Sequence, residues 1–137
     1  MQRRFFFTFV LLVAALLTAG CRESAQPTQP ASNDASAQIN VEFSQQPPQV
    51  GDDVLFVRVT GADGALLPLA ELAVRGDMNH AGMQPVITSY ESPEADENGS
   101  YVVSFTWTMG GDWILTVEAR LQDGNTLSEQ IDIAVES

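Results

Sequence analysis

The stretch YVVSFTWTMGGDWILTVEARL, residues 101–121, holds two runs of alternating apolar and polar side chains on either side of a glycine pair. Tyr101, Val103, Phe105 and Trp107 fall on one parity of the first run; Trp113, Leu115, Val117 and Ala119 fall on one parity of the second. Successive side chains of an extended strand point to opposite faces, so a period of two puts each set on one half-buried face. The spacing predicts two strands joined across Met109-Gly110-Gly111-Asp112, with Trp107 and Trp113 as core aromatics because both continue the alternation.

The same pattern extends in both directions. Ile39, Val41 and Phe43 alternate in INVEF, and Leu55, Val57 and Val59 alternate in VLFVRVT (54–60). GADG (61–64) reads as a turn, followed by a third strand in ALLPLAELAVR whose start Pro68 should make irregular. QPVITSYE suggests a fourth strand, and SPEADENG an acidic loop. QDGN (122–125) is rich in residues that tolerate positive φ, and TLSEQIDIAVE closes the chain with Leu127, Ile131, Ile133 and Val135 on the apolar parity. No helical periodicity follows residue 20. Seven short strands in about a hundred residues predict an all-β fold, an immunoglobulin-like antiparallel β-sandwich.

The first residues belong to no fold. Arg3 and Arg4 precede the apolar run FFFTFVLLVAALL, which ends in Leu17-Thr18-Ala19-Gly20-Cys21. A charged start, an apolar segment and small residues before a cleavage point describe a secretory signal peptide. The terminal residues resemble the bacterial lipobox, which implies lipidation of Cys21 and removal of residues 1–20. Cys21 is the only cysteine, so no internal disulfide is available. Arg22, rather than an acidic residue, follows the lipidated position, and by common sorting rules this points to the outer membrane. Residues 22–38 carry no large apolar side chain and read as a flexible tether from Cys21 to a domain spanning residues 39–137.

Six arginines and no lysine stand against eighteen acidic residues. Loss of residues 1–20 removes two arginines and no acid, leaving a net charge of −14. Such a surface repels nucleic acid and anionic lipid headgroups, so nucleic-acid binding is excluded as a function.

A resemblance to a known family rests on NGSYVVSFTWTMGGDWILTVEA (98–119), with Gly99, Tyr101, Met109, Gly111 and Trp113 at the characteristic positions. The segment resembles the signature of YtkA-like domains, which are related to FixH-like proteins. PPQVGDDVLFVRVTGADGALLPLAELAV (47–74) is similar to the opening of the same family. The resemblance covers about 40 to 135 and implies an envelope-associated immunoglobulin-like domain in which a Met- and His-containing loop handles copper.

The residues offer such a loop. GDMNHAGMQPV (76–86) holds the only histidine, His80, with Met78 two residues before it and Met83 three after. Thioether sulfur is a soft ligand and imidazole a borderline one, a set that favours Cu(I) over zinc, magnesium or calcium. Gly76, Asn79, Gly82 and Pro85 mark the stretch as loop, where there is little core for methionine to fill. Connections in a sandwich alternate between its two ends. The loop between the third and fourth strands and the one between the fifth and sixth are therefore expected at the same end, bringing Met109 beside Met78, His80 and Met83. Met109 also lies close to Trp113, and a role capping the core stays open. Asp77 is a further candidate, as an oxygen donor to Cu(II). The acidic loop Glu91, Glu94, Asp96 and Glu97 lacks an ordered calcium-ligand pattern and reads as solvated.

No cysteine or serine nucleophile pairs with His80 in a recognisable motif, and the carboxylates are dispersed, so a non-enzyme is expected. The expected partners are the membrane, through lipidated Cys21, and a protein that donates or accepts copper. A metal-free module that docks onto an envelope complex is the alternative.

Overall fold

A computed structural model describes residues 37–78, 80 and 82–137. The proposed signal peptide, Cys21 and the tether through residue 36 lie outside the described residues. Seven strands follow in order: β1 (Gln38–Phe43), β2 (Gly51–Thr60), β3 (Leu69–Met78), β4 (Val86–Glu91), β5 (Tyr101–Trp107), β6 (Gly111–Leu121) and β7 (Thr126–Val135). They form two antiparallel sheets with strand orders β1-β2-β5 and β4-β3-β6-β7. The result is the all-β, immunoglobulin-like sandwich that the alternation predicts.

The apolar parity of each strand faces the gap between the sheets. Leu55, Val57 and Val59 of β2, Val103, Phe105 and Trp107 of β5, and Trp113, Leu115, Val117 and Ala119 of β6 are buried in one core. Burying side chains of this size contributes roughly 1.5–3 kcal/mol each, and the aromatic pairs add about 0.5–1.5 kcal/mol beyond area alone. Trp107 is the centre of those pairs. Its ring lies 4.8 Å from Phe105 and 5.4 Å from Trp113, both edge to face, and 6.3 Å from Phe43.

Two polar devices order the sandwich, one across the layers and one within the smaller sheet. The Tyr101 hydroxyl donates to the carbonyl of Leu67 (3.1 Å) and accepts from the amide of Leu69 (3.3 Å), latching β5 to the segment that enters β3 across the sandwich. Asp53, buried on β2, accepts from the Ser44 hydroxyl, from the Val54 amide (2.7 Å) and from Trp107 Nε1 (3.0 Å). Burying a carboxylate without such partners costs several kcal/mol, on the order of its lost hydration, so the donors are what permit it there.

Beyond Pro68 the third strand does start irregularly, with a register break between Leu69 and Glu71. Its other end departs from expectation. β3 continues through Gly76 to Met78, so both are strand residues and the loop begins after them. The reason is steric. A Cβ on Gly76 would stand 2.7 Å from Phe105 Cζ and 3.2 Å from Trp113 Cε3. This glycine admits the aromatic cluster into a continuous strand rather than ending the strand.

Register sets the two ends of the body. Phe43 pairs with Leu55, Gly51 with Trp107, Met78 with Trp113, Gly76 with Val86 and Gly111 with Val135. One pole therefore carries the β1–β2, β3–β4 and β5–β6 connections together with Glu136 and Ser137. The chain enters β1 at the other pole, where Gln38 pairs with Thr60, alongside the β2–β3, β4–β5 and β6–β7 connections.

Candidate metal-binding pole

Met78 is the last residue of β3 and has the inward parity of Leu72, Val74 and Gly76. It is partly buried and packs against the core, and its methyl carbon lies 3.2 Å from the point a Cβ on Gly111 would occupy. Gly111 has φ of 131°, a conformation that favours glycine and opens the space that the Met78 methyl fills. His80 follows in an exposed bend, and its carbonyl accepts from the Met83 amide at 3.3 Å, closing a turn between them. The Met83 side chain is exposed.

Met109 occupies the short β5–β6 connection and is also exposed. Its carbonyl accepts from Trp113 Nε1 at 2.9 Å, so the turn is tied to a core tryptophan while the thioether stays outside the core. Trp107 bonds Asp53 and Trp113 bonds Met109, giving the pole a floor of two hydrogen-bonded indoles in edge-to-face contact. Floors of this kind hold the turns above them in one geometry.

The structure thus brings Met78, His80, Met83 and Met109 to one end of the sandwich, as the alternation of connections predicts. It separates them by depth: Met78 is packed into the rim of the core, whereas His80, Met83 and Met109 face solvent. Asp77 does not join them. It has the opposite parity and lies on the outer face of the larger sheet, where Arg75 Nε and Nη2 donate to its two oxygens at 2.7 and 2.8 Å. The hydrogen bond from Arg75 holds the Asp77 carboxyl below its ordinary pKa, and the same bond raises the Arg75 guanidinium above its own.

The acidic loop builds itself instead of a ligand cage. Asp96 Oδ1 accepts from the amides of Asn98 and Ser100, both at 2.9 Å. Among the described residues, no group of three or more His, Cys, Asp or Glu side chains is placed to hold a metal ion. The donors gathered at the pole are chiefly sulfur, and sulfur donors with one imidazole fit a soft monovalent ion better than a hard one.

Two supporting residues escape a reading by composition alone. Gly76 has a signal in the sequence, since an isolated glycine within a strand pattern marks a close approach of another group. Asp53 has none, because its parity is inward and only the placement of its donors, Ser44, the Val54 amide and Trp107 Nε1, explains a buried acid there.

These features define an immunoglobulin-like sandwich with a methionine-rich pole. The family model described as YtkA-like matches residues 32–118, more than half of the chain, and the chain belongs to that family. No curated relative matches it at a significant level. Similar solved structures include the PmoD soluble domain from Methylocystis sp. ATCC 49242 (Rockwell), at 14% identity, TM-score 0.47, and coverage of 77% of this chain and 95% of that one. A superoxide reductase (neelaredoxin) from Ignicoccus hospitalis is also similar, at 14% identity, TM-score 0.46, and coverage of 74% and 83% respectively. In two others, an engineered protein and the sporulation control protein Spo0M from Bacillus subtilis, this chain spans only 20% and 50% of the length. Likeness at this level assigns neither ligand nor activity.

Proposed function

We propose that this chain is an envelope protein that binds copper as Cu(I) at its Met/His pole, for delivery or sequestration. The observation that carries the reading is the convergence of Met78, at the end of β3, with His80, Met83 and Met109, from two separate connections, on one end of the fold. Thioether and imidazole donors suit Cu(I), and three of the four residues stand in solvent where an exchanging ion can reach them. An exposed site of labile soft donors suits a carrier rather than a buried structural centre. Met78, His80, Met83 and Met109 are the residues that would hold the ion.

The reading includes a secretory signal peptide over residues 1–20 and a lipid on Cys21, supported by the lipobox-like residues that precede it. Among the described residues no helix is long and apolar enough to cross a membrane. The chain is read as a carrier and not an enzyme, with its partner a protein that gives or takes copper.

Competition against a colorimetric Cu(I) chelator tests the site. The protein should withdraw one equivalent of copper, and His80→Ala combined with Met109→Leu should weaken that withdrawal by about tenfold or more while leaving the fold intact. Unchanged affinity in the double variant would refute the site. A metal-free docking module is favoured by one observation, the exposed apolar side chains of Val50, Met83 and Met109 at this same pole. Complete assembly of an envelope complex with that double variant would support the second reading.

A further inference from the structure

The three methionines of this pole differ in one respect that matters to oxidants. Met83 and Met109 are 36% and 43% exposed, while Met78 packs against the core with its methyl beside Gly111. Oxygen transfer to a thioether requires a peroxide oxygen to approach the sulfur lone pair, so access controls the rate. We propose that Met83 and Met109 are paired sites of oxidation by hydroperoxides, and that Met78 is shielded from it. In each event the sulfur loses two electrons to the peroxide O–O bond. One oxygen becomes the sulfoxide and the other leaves as water or alcohol.

The fold tolerates the product at these two positions. The new S=O dipole stands in solvent at both, and the bond that ties the β5–β6 turn to Trp113 uses the Met109 backbone carbonyl, not its side chain. At Met78, partly buried with its methyl beside Gly111, the same oxygen would set a polar group against the apolar core it packs on. The consequence for metal handling rests on the copper reading above. A sulfoxide offers a hard oxygen where the thioether offered soft sulfur, so oxidation converts the exposed half of the donor set to one that disfavours Cu(I).

The experiment exposes the folded protein to graded hydrogen peroxide and maps the methionines by peptide mass spectrometry, with tryptophan fluorescence as the record of folding. The expected product has gained one oxygen on each of Met83 and Met109, with Met78 at least about tenfold slower and the fluorescence unchanged. In urea all three should react at similar rates. Equal rates for Met78 in the folded protein, or a red shift as the exposed pair reacts, would overturn the proposal.

Chelator competition before and after oxidation addresses the copper link. At least about tenfold weaker Cu(I) retention by the oxidised protein supports the link, and equal retention refutes it. Absence of retention before oxidation refutes the copper reading alone, while the peptide map still decides the oxidation sites.

Discussion

Substituting Gly76 by alanine adds one methyl group at the most crowded point of the core. The ideal Cβ would sit 2.7 and 3.3 Å from Phe105 Cζ and Cε1, and 3.2 Å from Trp113 Cε3. Carbon atoms pack best at about 3.5–4.0 Å, so the shortest contact overlaps by roughly an ångström. The Phe105 ring cannot simply retreat, because it packs edge to face on Trp107, which packs in turn on Trp113. Overpacking of this kind costs about 1–3 kcal/mol. The backbone at Gly76 lies outside the left-handed region, so alanine meets no dihedral penalty and instead stiffens the unfolded chain, returning about 0.4–1 kcal/mol. The balance is a loss of about 1–2 kcal/mol, or a midpoint lowered by about 4–8 °C per kcal/mol for a domain of this size. Urea unfolding followed by tryptophan fluorescence measures it, with the m-value unchanged. Adding Phe105→Leu should make the alanine less costly than it is alone, since the clashing ring is gone. An alanine variant as stable as the parent would refute the steric account of this glycine.

Tyr101→Phe keeps the ring and removes the hydroxyl that joins Leu67 and Leu69, leaving a carbonyl and an amide to find other partners. A loss of about 1–3 kcal/mol is expected in the same unfolding assay. The Asp77 carboxyl, held low by the hydrogen bond from Arg75, contributes stability that is present above its ordinary pKa and is lost as pH falls through its lowered value. Thermal melts of the parent and Asp77→Asn should therefore differ at neutral pH and converge in acid. A difference that persists below that range would point to a contact other than the ion pair.

Where two faces of a strand meet different surroundings, the sequence records the difference. Residues 101–121 alternate because one side of β5 and β6 is core and the other is water, and both tryptophans lie where that alternation sends them. The common pole of Met78, His80, Met83 and Met109 is legible for a related reason: strand count alone decides which connections share an end. What the sequence hides depends on side chains remote along the chain. Gly76 reads as a breaker until the rings of Phe105 and Trp113 are seen over it, and so Met78 reads as a loop residue when it closes a strand. Asp77 reads as a free donor until Arg75, on the same outer face two residues earlier, is found to occupy both its oxygens.

The chain joins the sandwich through Gln38, whose partner Thr60 is at the far end of β2 from Gly51. At about 3.3 Å per residue, the ten residues of β2 put some 30 Å of protein between that entry and the sulfur-bearing end. Whatever grips the N-terminal side of the chain therefore grips it by the heel. A contact made where the chain enters the sandwich leaves the methionine pole, at the opposite end, uncovered.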